Sequence, residues 1–220
     1  MSTFAFDVSH FLAGALVLMS FAMLYQDRLP PLINAFLVQS FVLALSIAWQ
    51  AEVQHAPHLL ITAGIELIFK AVVIPLVLYM LIRRLKIHRT VETAVGIGLT
   101  MMAGMALVGL AMALMMRATS GIEIMARQDL AFALSVILLG LLIMVTRRNA
   151  VGQVIGFMSI ENGLVLAATG AKGMPFVVET FVAFSVLIAL IVIGIFLFRI
   201  RERFDTVDVA LLDHFRGERP

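Results

Sequence analysis

Two residues of this chain have the type and spacing that chemistry would use. Glu66 and Lys70 stand four residues apart within the segment 61–75, whose other members are almost all apolar. At i and i+4 they fall on one helical face, with the acid N-terminal to the base, the favourable order. Centring a charge in an apolar span costs ~2.5–3.5 kcal/mol on insertion scales, so a carboxylate and an ammonium together need a reason. One reason is structural: buried ions pair, and the pair would clamp its helix against a neighbour. The other is proton transfer, because carboxyl and amine groups withdrawn from water exchange protons nearer neutrality than they do in solution.

A second acid, Glu161, lies midway along another apolar segment, with Asn162 beside it and Gln153 two turns earlier on roughly the same face. Such side chains need protein or water around them rather than lipid, and ionisable groups at this depth usually mark an ion or proton path. Glu179, in the first turn of the last apolar segment, is a further candidate, although the helix dipole alone favours a carboxylate there. The candidate proton-transfer residues are therefore Glu66, Lys70, Glu161 and Glu179, with Gln153 and Asn162 as polar support. Pro75 removes the N–H that would bond the carbonyl of Ala71, which predicts a kink beside the charged pair.

The elements that must position these groups are membrane helices. The chain has 220 residues, of which 62% are hydrophobic and 14% charged, and its mean hydropathy is +1.05. Soluble domains are typically ~45–50% apolar, so an all-α, polytopic membrane protein is expected. With ~20 apolar residues needed per crossing, seven spans are predicted: 8–25, 31–49, 58–82, 91–116, 130–146, 151–170 and 175–198. The N-terminus lacks the basic n-region of a signal peptide, so the first helix is expected to remain in the mature protein. Glycines 96, 98, 104 and 109, with alanines among them, mark the fourth span as a helix for close packing.

Charge sets the direction. One set of alternate loops holds Arg28, then Arg83, Arg84, Lys86 and Arg89, then Arg147 and Arg148, then the arginines of the tail. The opposite set holds Arg117, Arg127 and Lys172. The positive-inside rule then puts the N-terminus outside and the C-terminus in the cytoplasm. Cysteine is absent, which excludes thiolate metal sites, iron–sulfur ligation and disulfides. No phosphate-cradling loop, zinc-type His-Glu-x-x-His or nucleophile elbow is present, and the five histidines are scattered near helix ends. No catalytic or metal site and no nucleic-acid partner is expected.

Residues 147–163 open on Arg147-Arg148-Asn149, continue through Gly152 and Gly156, and reach Glu161-Asn162-Gly163. This segment resembles the second helix of the K subunit of respiratory complex I, which has a basic pair with Asn, then Gly, then a mid-membrane Glu. The three-helix K unit would correspond to residues 130–198, and the tail around His214-Phe215-Arg216-Gly217 is also similar. With four further helices in front, including Gly64 to Pro75, the chain resembles component E of hydrogenase-4, a membrane subunit of group 4 nickel–iron hydrogenase and formate hydrogenlyase complexes. The resemblance implies three regions: four helices in 1–129 with the Glu66/Lys70 helix, a K-like unit in 130–198, and a basic cytoplasmic tail in 199–220.

The resemblance also implies a non-catalytic subunit in a bacterial or archaeal cytoplasmic membrane. It would stand beside antiporter-like subunits and a hydrogenase-type cytoplasmic arm, which would hold the nickel–iron centre and iron–sulfur clusters. Glu161 takes the place of the proton-transferring carboxylate on the second K helix, about one turn later in register. Glu179 is the counterpart on the third, with Glu66 and Lys70 as alternatives for its function. Two other readings stay open on the residues alone: a small subunit of a multisubunit sodium/proton antiporter, and a structural scaffold in which the charged pair is a helix clamp.

Overall fold

The computed structural model describes residues 3–84, 96–118 and 124–170. They form α-helices without a β-strand. The helices are α1 (Thr3–Tyr25), α2 (Leu29–Gln54), α3 (His58–Glu66), α4 (Ile74–Arg84), α5 (Ile97–Ala118), α6 (Ile124–Thr146) and α7 (Ala150–Gly170). A π-helical segment, Leu67–Val73, joins α3 to α4, so that the two make one crossing. Among the described residues six spans are long and apolar enough to cross a membrane, which makes this a multi-pass membrane protein. They correspond to the first six predicted spans; the seventh, with Glu179 and the tail, lies outside the described residues.

Helix ends follow local chemistry. Pro30 and Pro31 occupy the first turn of α2, where no N–H is needed. Asn149 caps α7, its Oδ1 accepting the backbone N–H of Gly152 at 2.6 Å. Just before Pro75 the helix leaves α geometry. The Ile74 N–H bonds the carbonyl of Phe69, one residue farther back than in an α-helix, so the helix widens into π geometry instead of breaking. Lys70 sits inside that widened turn.

The core lies among α1, α2, α6 and α7, where Leu16, Leu43, Ile47, Val136, Leu139, Ile155 and Val165 are fully buried. The tightest pair is α6 with α7. A Cβ added to Gly140 would lie 2.7 Å from the Ile160 nitrogen, one on Gly156 2.7 Å from that of Met144, and one on Gly163 2.7 Å from Ile137 Cγ1. These glycines let two backbones touch. The expectation that α5 packs closely through its glycines holds at Gly104, where an added Cβ would meet Phe21 at 2.9 Å and Leu139 at 3.2 Å; among the described residues nothing lies within 4 Å of one on Gly98 or Gly109. Only 17% of the α5 span is buried, against 61% for α7. Small residues permit close approach but do not create it; the polar face of α7 has to be covered, and α5 has no such face.

Candidate functional site

The π-helical segment and α7 bring three ionisable groups together. Lys70 Nζ lies 3.0 Å from Glu66 Oε2 and 3.6 Å from Glu161 Oε2. It also donates to Asn162 Oδ1 at 3.1 Å. Glu66 and Lys70 are each 1% exposed and Glu161 is 5% exposed. One ammonium thus stands between two carboxyl groups supplied by different helices. The i, i+4 relation gives the first contact, as the sequence predicts; the second depends on α7 and the π-helical segment both packing against α2, so that their long side chains meet.

Behind the triad runs a chain of neutral polar groups. Asn162 Nδ2 donates to Gln39 Oε1 at 3.2 Å and reaches Ser40 Oγ at 3.5 Å. Gln39 Nε2 in turn lies 2.8 Å from Ser20 Oγ and 3.1 Å from Ser159 Oγ. Ser20 donates to its own helix, to the Leu16 carbonyl. All of these side chains are buried. Four crossings therefore meet at one polar web, which satisfies both ends of Gln39 and of Asn162 where an unmade bond would cost ~1–3 kcal/mol.

Of the candidates taken from the sequence, Glu66, Lys70, Glu161 and Asn162 come together. Gln153 does not. It is exposed and donates to the Arg147 carbonyl at 3.2 Å, closing the end of α6. Eight residues are about 2.2 turns, so Gln153 and Glu161 are rotated roughly 80° apart, enough to leave the polar face. Gln39, Ser20, Ser40 and Ser159 were not singled out as site residues. Their signal was weak but present: an amide in the middle of an apolar span has to find partners.

Arg147 is the other surprise. It reads as a loop cation, yet it is 2% exposed. Its Nη2 donates to the carbonyls of Met23 at 3.0 Å and Leu24 at 2.8 Å in the last turn of α1, where the Met23 carbonyl also accepts the Gln26 N–H at 3.3 Å. Burial lowers the guanidinium from its ordinary value and Asp27 opposes that shift; the group keeps its proton at any physiological pH. Gly152 makes room for it, since a Cβ there would meet Arg147 Cβ at 2.9 Å. Among the described residues no three His, Asp or Glu side chains come together as a metal site.

Comparison with known proteins gives little beside this geometry. No protein-family model matches the chain, and no solved structure matches it. It is 39% identical over 87 residues to the uncharacterized protein Rv0085 of Mycobacterium tuberculosis. The match spans 38% of this chain and 39% of that protein. What the fold and the site define is a class: a multi-pass helical membrane protein with a buried, charge-paired polar centre.

Proposed function

We propose that the chain is a non-catalytic membrane-arm subunit of a hydrogenase-4 or formate-hydrogenlyase type complex, and that its Glu66–Lys70–Glu161 triad carries protons. The observation that supports this most is the position of Lys70 between two carboxyl groups on separate crossings. Two carboxyl groups on separate crossings with an amine between them offer a proton successive sites, which is the arrangement a relay uses. The orientation that fits the basic loops puts the N-terminus outside and the Arg28, Arg83 and Arg147 end in the cytoplasm. Partners would be antiporter-like subunits and a redox arm holding the nickel–iron and iron–sulfur centres.

The test is Glu161→Gln in the native complex. The variant should assemble normally and lose proton translocation coupled to hydrogen metabolism, measured in inverted vesicles. Undiminished translocation would make Glu161 structural. Isolating the tagged chain in mild detergent gives the complementary answer: hydrogenase-like and antiporter-like chains together support the redox-coupled reading, and antiporter chains alone move it to a sodium/proton exchanger.

A scaffold reading also has an observation behind it. Lys70 ties the π-helical segment to α7 through Asn162 as well as Glu161, which is what a clamp would do. Replacing Glu66 and Lys70 together by Gln and Met separates the two. A clamp loses assembly, whereas a relay leaves an assembled, uncoupled complex.

A further inference from the structure

The structure holds a second polar cluster, at the end of the bundle where α1 begins, α2 ends, α6 begins and α7 ends. Gln54 Nε2 donates to the Thr169 carbonyl at 2.9 Å and to Gln50 Oε1 at 3.1 Å, and Gln50 Nε2 reaches Ser9 Oγ at 3.4 Å. Beside them Asp129 Oδ1 faces His10 Nδ1 at 3.7 Å. That is too long for a hydrogen bond, and both atoms are buried without a hydrogen-bond partner among the described residues. Against Asp129 lies a cavity of about 10 Å³, lined also by Ser9, Ser46, Gln50 and Thr169, with Ala13 and Leu166 as apolar wall. It has room for one water, and its carboxylate, hydroxyl and amide groups supply the two to four polar partners a buried water takes.

The cavity lies along the same faces of α2 and α7 as the polar web behind the triad. On α2 Ser46 follows Gln39 by seven residues, and on α7 Thr169 follows Asn162 by seven. At 1.5 Å per residue the two polar levels are about 10 Å apart. Between them lie Leu16, Leu43, Val165 and Leu166, all buried. Two polar levels on shared helix faces, separated by a thin apolar layer, are what a gated proton entry requires. Among the described residues that line the cavity only Asp129 titrates, with His10 beside it from α1; α2 and α7 contribute neutral side chains.

We propose that Asp129, His10 and the cavity between Ser9, Ser46, Gln50 and Thr169 form a water-filled proton port serving the Lys70 centre from this end of the protein. The port rests on the relay reading for its purpose, although its access to water does not. Asp129 exchanges its proton with the aqueous side, a water in the cavity takes it up, and transient wetting of the Leu16–Leu43–Leu166 layer passes it to Glu161.

The absence of cysteine makes the test direct. In the complex in sealed vesicles of each orientation, Ser46→Cys puts one thiol of this chain in the cavity wall and Leu43→Cys puts one in the apolar layer. Silver ion is added outside, and thiols left unblocked are counted by maleimide on the isolated, denatured chain. Ser46→Cys should be blocked roughly tenfold faster than Leu43→Cys, about 1.4 kcal/mol of barrier, and only from the side bearing Asp129. Asp129→Asn should leave that pattern unchanged and slow coupled translocation several-fold.

Equal rates at the two thiols, or block from the opposite side, overturn the port. So does protection of Ser46→Cys by sodium at constant ionic strength, which would make the cavity a sodium site. Silver access needs no turnover, so the result is independent of Glu161→Gln. A failed port with an uncoupled Glu161→Gln variant leaves the relay with another entrance. A sided, accessible cavity with normal pumping in Glu161→Gln removes the relay, and the port's purpose with it.

Discussion

Lys70 and Arg147 are both buried cations, and the molecule treats them in opposite ways. Lys70 sits halfway along its crossing, touching two carboxyl groups and an amide oxygen. Arg147 sits at the end of α6, touching backbone carbonyls of α1. The carboxyl groups that Lys70 faces can change protonation; the carbonyls that Arg147 bonds cannot. An ammonium can give up its proton when desolvated, while a guanidinium holds it. Burial of a charge is therefore not in itself a sign of function; what separates the two sites is that Lys70 faces carboxyl groups, whereas Arg147 bonds backbone carbonyls.

The largest expected effect comes from removing the lysine. Lys70→Met leaves Glu66 and Glu161 without their counter-ion, and breaking a buried pair in this way costs ~3–5 kcal/mol. The variant should melt at a clearly lower temperature in detergent, and complexes that do assemble should not translocate protons. A stable, fully coupled Lys70→Met variant would end the relay reading. Arg147→Ala comes next. It takes away charge-assisted bonds to two carbonyls, for a loss of ~1.5–3 kcal/mol. Translocation per assembled complex should stay at the wild-type level, and a specific coupling defect at normal stability would erase the contrast between the two sites.

How much of this was readable beforehand varies by residue. The six described crossings follow from apolar runs between charged or proline-containing breaks, because the bilayer fixes a helix's length and composition. Glu66 facing Lys70 follows from helical spacing alone. The meeting of Glu161 with Lys70 does not, since it depends on how α7 crosses α2, and no local pattern encodes a crossing. Gln153 was drawn into the path because two turns of a helix bring a residue only roughly back to its own face. Arg147 was hidden by a rule that treats an arginine beside an apolar run as solvated, when the end of α1 needed a donor. The α5 glycines marked close packing at Gly104 and not at Gly109, and a pair of variants shows the contrast with α7. Gly156→Ala pushes a methyl into the α6 backbone and should cost ~1–3 kcal/mol, whereas Gly109→Ala meets nothing among the described residues. Equal melting temperatures for the two would mean that α6 and α7 are not in backbone contact.

The smallest effects are expected where each cation is exchanged for the other, and these separate the sites most cleanly. Arg147→Lys keeps the charge but shortens the reach to Met23 and Leu24 and gives up the planar fork, for a loss of ~1 kcal/mol. Coupling should be untouched. Lys70→Arg also keeps the charge, and so keeps Glu66 and Glu161 paired; the larger group strains its pocket by ~1–3 kcal/mol. Its guanidinium does not deprotonate, so the assembled complex should turn over without moving protons. Hydrogen turnover and proton translocation measured on the same vesicles decide it. If Lys70→Arg remains coupled, protons pass the triad without using the lysine amine, and Lys70 becomes a charge-compensating group like Arg147, with the carboxyls alone carrying the proton.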